Sequence, residues 1–369
     1  MTTKLLGKRG NAAMNVMINS VMSQDSEKII AHLGQHNHAF SGMNVLVTGA
    51  AGFLGQNFIS YFAHLNGSKL LQSPVRVIAL DNFLTGKQTS LAPFISEHLN
   101  LISHDITKPF NTPVKVDFII HAASIASPVF YRRYPIETMD ANIIGLRNLL
   151  DYAISNPVES FLFFSSSEVY GDPVASEIPT SEDYNGNVSF TGPRACYDES
   201  KRFGETLCIN FWRIHKVPVK IVRPFNNYGP GLNLNDRRVL PDFFRDVING
   251  QDIVLLSDGK ATRTFCYISD ALEGYLRVLL SKHNGEAFNI GTETPEISIH
   301  DVATEVIRIS GKRLKVIHQK DKDEQYLTDN PQRRCPSIAK ARTCLDYNPS
   351  VTLNEGLTRS YRYYLEQSQ

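Results

Sequence analysis

Three glycines at three-residue spacing, Gly49, Gly52 and Gly55, interrupt the run "MNVLVTGAAGFLGQNFISYFAHL". Before them lies a short β-branched stretch that reads as a strand. After them Phe53, Leu54, Phe58, Ile59 and Phe62 recur at helical spacing. Glycines at such a junction permit a tight turn, close approach of the backbone to a pyrophosphate and close packing of the helix. The helix N-terminus adds unpaired amides and a positive dipole end. The spacing alone is common; its position between strand and helix gives it meaning.

The next apolar run, "VRVIALDN", ends at Asp81, 26 residues after the last glycine. A carboxylate there can accept hydrogen bonds from an adenosine ribose and would repel a ribose phosphate, which favours NAD over NADP. Asn82 follows it. Asp105 and Ile106 after "LNLISH", and Ala122 in "HAAS", fit ribose and adenine contacts along the same sheet edge, although ordinary turn and packing roles suit them equally.

Further strand-like runs at "VDFIIHAAS", "SFLFFSSSEVY" and "VKIVRPFN" alternate with helical stretches, notably Thr138 to Ser155 and Tyr197 to His215. Such alternation predicts an α/β fold with a doubly wound parallel sheet. Beyond Asn226 the strands become short and irregular, so a smaller second lobe is expected. The predicted organisation is an N-terminal extension over residues 1–42, either disordered or weakly docked with a short amphipathic helix near Ser26 to Leu33. A dinucleotide-binding domain follows over 43–225 with a returning segment near 264–285, and a substrate lobe over 226–263 and 286–369, closed by a helix from Leu353 to Glu366.

Composition excludes several classes. With 38 Lys+Arg against 37 Asp+Glu, no global field recommends nucleic acid or an anionic membrane as partner, and any anion must be bound locally. No window approaches the roughly 18 apolar residues of a membrane helix, and "MNVMINSVM" is too short and interrupted for a secretory apolar region. The five cysteines are scattered without a Cys-x-x-Cys pair, which argues against a disulfide framework and against a metal site. A cytoplasmic protein is the simplest expectation.

The chemistry is concentrated in two places. Tyr197 and Lys201 lie four apart on one predicted helix face. A nearby ammonium favours the phenolate and would bring a tyrosine toward a useful general base. One βα unit upstream, a buried run delivers Ser166, Ser167 and Glu168 to a strand end, where Ser166 could hydrogen-bond the same substrate oxygen.

This combination resembles the extended short-chain dehydrogenase/reductase superfamily, which implies a Rossmann fold, NAD, and a Ser/Tyr/Lys catalytic set at Ser166, Tyr197 and Lys201. From about Met43 onward, "LDNFLTGK", "SSSEVYGDP", "GPRACYDESKRFGET", "RPFNNYGP", "NLNDRRVLPDF", "TRTFCYISD" and "DNPQRRCPSIAKA" look like segments of the UDP-glucuronate decarboxylases, the UDP-xylose synthases. "GPRACYDESKR" is the most specific of them. In similar nucleotide-sugar 4,6-dehydratases the positions of Ser166, Ser167 and Glu168 read Thr-Asp-Glu, where the aspartic acid protonates the departing hydroxyl and the glutamate removes the proton at carbon 5; the resemblance implies a catalytic Glu168 that orients the sugar or manages a proton or water at that carbon. A serine in place of the aspartic acid disfavours dehydration and suits a substrate that already bears a carboxylate.

The resemblance further implies that Arg263 lies near the sugar carboxylate and diphosphate, that Asn226 and Arg238 hold the diphosphate and nucleotide, and that Tyr131 faces the substrate. A homodimer built through a four-helix bundle of the two long helical stretches is also implied. The chain departs from the usual pattern at Tyr184-Asn185-Gly186 and at "SIASPVFYRRYP", where Arg132 and Arg133 are added. Two other functions stay open at this point: a 4-epimerase or 4,6-dehydratase on the same redox pair, and a non-catalytic dinucleotide-binding scaffold. The second should have lost Tyr197, Lys201 or the glycines, and all are present.

Overall fold

The computed structural model describes residues 19–319 and 328–368. Its centre is a seven-stranded sheet in which every pairing is parallel. In chain order the strands are β1 (Asn44–Thr48), β2 (Arg76–Asp81), β3 (Leu99–Ser103), β4 (Phe118–His121), β5 (Ser160–Phe164), β6 (Val219–Pro224) and β7 (Ala287–Ile290). Across the sheet they run β7-β6-β5-β4-β1-β2-β3. The central strands β4 and β5 are buried throughout, as expected where helices cover both faces of a parallel sheet.

The chain winds outward from β1 to β3 and then returns to lay β4 on the other side of β1. Thr48 pairs with His121 in that register, so Gly49 and Ala122 leave the sheet side by side. The reversal of winding opens a crevice at the carboxyl ends of these two strands, the usual place for a ligand in such sheets.

Helices α1 (Ser20–Leu33) and α2 (Phe53–Gly67) lie on one face, where Phe58 and Phe62 of α2 pack against Val45, Val47 and Phe164. Full burial of a side chain of this size contributes roughly 1.5–3 kcal/mol. On the other face α3 (Leu146–Ser155) and α4 (Ala195–His215) bury Leu146, Leu149, Leu150, Cys208 and Phe211 against Leu46, Ile119, Phe161 and Phe163. The helical stretch expected from Thr138 to Ser155 is divided: Pro135–Asp140 is helical, Ala141–Gly145 forms a π-turn, and α3 follows.

A second lobe starts with α5 (Val239–Ile248), after which the chain returns to the first face of the sheet through α6 (Ile268–Leu280) and β7. The returning segment therefore runs to Ile290, past the boundary expected near 285, because β7 completes the sheet beside β6. Then α7 (Ile299–Ser310) and α8 (Leu353–Ser368) pack with α5 around Tyr228, Phe243, Phe244, Val302, Leu357 and Tyr364. The extension differs most from expectation. Its helix is longer than the stretch anticipated near Ser26 to Leu33, and it buries Val21, Met22, Ile29, Ile30 and Leu33 rather than lying loose. Residues 1–18 lie outside the described part.

Candidate active site

A cleft of about 830 Å³ runs between the lobes, and the glycine turn forms one end of its wall. Gly49 has φ +69°, and a Cβ there would stand 2.8 Å from the Ala123 Cα. At Gly55 a Cβ would fall 2.2 Å from the Gly49 carbonyl oxygen. The turn thus closes tightly on the β4 loop and on its own helix, and Gly49, Gly52, Phe53, Leu54 and Gly55 line the cleft there. This cradle at the N-terminus of α2 fits the pyrophosphate of a dinucleotide.

Ala122 and Lys201 share that wall with the glycines. The four other expected cofactor residues close the strand ends beside the cleft rather than line it. Asp81 accepts from the Ala51 amide at 2.8 Å and the Phe83 amide at 2.7 Å, so its first task is to brace the glycine turn. Asn82 caps Leu84, Asp105 caps Thr107, and Ile106 is buried in the core beneath α3.

Helix α4 brings its first turn to the middle of the cleft, and the four-residue spacing stacks Tyr197 above Lys201. Ser166 ends the β5 run and caps the short helix Ser167–Tyr170; its Oγ accepts from the Glu168 amide at 3.2 Å. The same hydroxyl faces the Tyr197 phenol and favours its ionised form. The expected lowering of the phenol by Lys201 is not what the protein alone achieves. Burial pushes Tyr197 up to about 12, and the Ser166 hydroxyl offsets this only in part. Lys201 donates instead to the Phe164 carbonyl at 2.8 Å, with Nζ 5.7 Å from the Tyr197 ring centre. Burial brings its own ammonium down to about 7.

A lysine so depressed costs stability at low pH, because the folded state must carry a dehydrated ammonium. The cost is fully present below about pH 7 and is relieved as pH rises toward the ordinary lysine value of about 10.4. Lys201→Met is accordingly expected to raise the melting temperature by on the order of a few degrees at pH 6.5, with a smaller gain at pH 9 and a loss of turnover at both. Thermal melts across that range check it; a gain independent of pH would contradict the buried-ammonium account.

Beside the phenol the cleft gathers three guanidinium groups. Glu168 accepts a bidentate pair from Arg334, at 2.7 and 2.5 Å, and a bond from Arg194 at 2.6 Å. Burial alone would raise this carboxyl, but the two arginines outweigh it and hold Glu168 down at about 2. Asp198 behaves in the opposite way: burial and the Glu168 charge lift it above the usual carboxylate range, although Arg194 stands 3.9 Å away.

The third arginine, Arg263, has no carboxylate partner among the described residues. It donates only to the carbonyls of Thr262, Gln332 and Pro331, and burial together with Arg334 and Arg194 draws it down to about 9. An ion pair with Asp258 or Asp270, the other role its sequence position would allow, does not form; Asp270 accepts from the Ser350 and Val351 amides.

The reason Arg263 and Arg334 meet is strand register. The two-residue strands Thr262–Arg263 and Arg333–Arg334 pair in parallel with Arg334 opposite Arg263. Side chains alternate across a strand, so Arg333 turns outward to Glu296 while Arg334 joins Arg263 on the cleft wall. Like charges directly opposite are unfavourable, and here Arg334 is bound by Glu168 while Arg263 beside it donates only to carbonyls.

Ser167, Asn226 and Arg238 also line the cleft. Asn226 donates to the Thr264 carbonyl at 2.9 Å, and Arg238 is paired with Asp236. Tyr131 does not face the cleft: its ring lies behind Tyr197, stacked at 5.2 Å and 14°, with Arg194 5.9 Å from the ring centre. Arg194 was not among the expected site residues, and Arg333 and Arg334 were expected together either to add charge near the nucleotide-sugar end or to form a solvated basic turn. Arg194 sits inside "GPRACYDE", the most specific of the quoted segments. Arg334 could have been separated from Arg333 only by the pairing of a two-residue strand, too short to leave an alternating pattern.

A parallel sheet with a glycine cradle at its switch point, and a tyrosine, lysine and serine converging beside it, define an enzyme of the short-chain dehydrogenase/reductase type. A model of the NAD dependent epimerase/dehydratase family matches residues 45–291, and the chain belongs to that family. It is 37% identical over 321 residues to UDP-glucuronic acid decarboxylase 6 of Arabidopsis thaliana, covering 86% of this chain and 87% of that one. It is 36% identical to UDP-glucuronic acid decarboxylase 1 of Xenopus tropicalis, covering 88% and 72%. Among solved structures, the epimerase Mth375 of Methanothermobacter thermautotrophicus superposes with a TM-score of 0.79 at 27% identity, covering 92% and 97%. The UDP-glucuronic acid 4-epimerase of Bacillus cereus, in complex with UDP-glucuronic acid and NAD, does so with 0.74 at 27%, covering 89% and 100%. Among the described residues no helix is long and apolar enough to cross a membrane.

Proposed function

We propose that this enzyme decarboxylates UDP-glucuronate through a 4-keto intermediate, using NAD, and yields UDP-xylose or the UDP-4-keto-pentose. The observation that carries the acidic substrate is Arg263 on the cleft wall, in register with Arg334 and donating only to carbonyls, while Arg334 is already held by Glu168. A sugar carboxylate supplies the missing anion, and a guanidinium can grip it through parallel bonds. The names of the similar decarboxylases support the reaction, and the complex of the similar 4-epimerase supports the ligand class. Epimerisation of the same acid is the second reading, because the arginine pair would suit it equally.

The glycine turn with Ala122 and Lys201 would hold NAD⁺, which when bound would supply the hydride acceptor for carbon 4. Tyr197 takes the proton of the 4-hydroxyl, and Ser166 hydrogen-bonds the same oxygen. The oxidised sugar is a β-keto acid: the bond from carbon 5 to the carboxyl breaks, carbon dioxide leaves, and the electron pair passes into the enolate of the 4-keto group. Ser166 and Tyr197 are positioned to donate to that developing oxyanion. Glu168, held at about 2 by Arg194 and Arg334, stays ionised at neutral pH and fixes the two arginines instead of acting as an acid. Ser167 is neutral where a dehydratase needs a proton donor, which disfavours elimination of hydroxide.

The test is incubation of the purified protein with UDP-glucuronate and identification of the product by mass spectrometry. Loss of the mass of carbon dioxide is expected. A product of unchanged mass with inverted carbon 4 would select the epimerase reading, and no conversion would refute both. A homodimer is proposed on the superfamily resemblance, supported by the exposed Ile144 before α3 and the exposed Phe203 and Ile214 of α4.

A further inference from the structure

Helix α1 precedes the family-matched region, which begins at residue 45, yet it touches both lobes. Its apolar side, with Met22, Ile29, Ile30 and Leu33, belongs to the core that α2 and α6 form on the dinucleotide domain. Its polar side reaches α8 of the other lobe. Asp25 accepts from Arg359 at 2.6 Å and from the Tyr267 hydroxyl at 2.8 Å. Gln24 accepts from Arg362 at 2.8 Å, and Asn19 donates to Glu366 at 2.6 Å. Residues 359, 362 and 366 follow helical spacing, so one stripe of α8 is given over to α1.

The cleft takes the adjoining side of α8. Tyr363, Tyr364 and Gln367 line it, and the Tyr364 hydroxyl reaches the carbonyls of Gly229 and Leu232 at 3.0 and 2.8 Å. That loop contributes Gly231 and Leu232 to the cleft wall. One helix is thus tied to the dinucleotide domain along one stripe and carries the substrate-side loop along the next.

We propose that α1 is an interlobe strap, with Asp25 as a positioning residue that holds α8 and the 229–232 loop at the spacing a nucleotide sugar requires. This rests on the nucleotide-sugar reading above, and it assigns a role to the extension. A stretch that merely stabilised the fold would change the melting temperature and leave ligand affinity alone.

The test compares full-length wild type with Asp25→Asn, which keeps an acceptor for Tyr267 but removes the charge facing Arg359. UDP binding is measured by calorimetry, alongside kcat, KM and bound NAD. The variant is expected to weaken UDP affinity and raise KM for UDP-glucuronate by about five- to tenfold, the lower range of intersite coupling, with kcat and NAD content nearly unchanged. Combined with Tyr364→Phe, the losses should be markedly less than additive, because both act through one helix. Should Asp25→Asn fail to fold, Gln24→Ala with Arg362→Ala cuts only an exposed tie and should weaken UDP by about twofold. A folded Asp25→Asn, or that exposed pair, with unaltered UDP affinity would overturn the strap. Wild type that does not bind UDP at all would remove the nucleotide-sugar reading and the strap together.

Discussion

Tyr197→Phe should lower kcat for UDP-glucuronate by about 10²- to 10⁴-fold, the range that a positioned acid or base typically contributes. The substitution removes one oxygen from a ring that stays packed on Tyr131 at 5.2 Å and 14°. Among the described residues its hydroxyl makes no bond to the fold beyond its approach to the Ser166 hydroxyl. NAD content and melting temperature should therefore stay near wild type. Because burial holds the phenol at about 12 in the protein alone, the pH profile of kcat is informative as well. An acidic limb well below pH 12, present in wild type and absent in the variant, would report a phenol whose acidity depends on the loaded site. Turnover of the variant within a few-fold of wild type would eliminate Tyr197 as the base.

Arg263→Ala should cost kcat/KM for UDP-glucuronate about 10²-fold, as for removal of one partner of a buried charge pair, and cost much less with UDP-glucose binding as the comparison. Its guanidinium donates only to the carbonyls of Thr262, Gln332 and Pro331, and it stands opposite Arg334. Removing it relieves a like-charge contact, so thermal stability should fall little despite burial. Measuring UDP-glucose affinity by competition separates the two ligands. Equal losses for both would mean that Arg263 holds the diphosphate or the fold, and the acid-recognition argument would fail.

The central sheet was legible because both of its signals are local. Alternating apolar runs mark the strands, and the glycine spacing marks the turn after β1. Tyr197 and Lys201 were legible for the same reason, since helical spacing fixes their common face. Of the arginine wall, Arg263 was expected through the resemblance, but its meeting with Arg334 was not. Arg263 and Arg334 lie 71 residues apart in the chain and meet through the register of strands two residues long, which carry no periodic pattern. Tyr131 was misjudged in direction, because the break at Tyr134 between two short helices turns its ring under Tyr197. The docking of α1 was hidden too: Asp25 reads as a solvent-facing charge until its partner, 334 residues downstream, is known.

The paired arginines also bear on how a catalytic cycle ends. On the decarboxylase reading, the reaction removes the sugar carboxylate, so Arg263 loses its counter-charge while the pentose is still bound and Arg334 keeps Glu168. The site then grips what it has made less firmly than what it received. Departure of the product is thus favoured by the chemistry itself, which removes one of the anions that held the ligand.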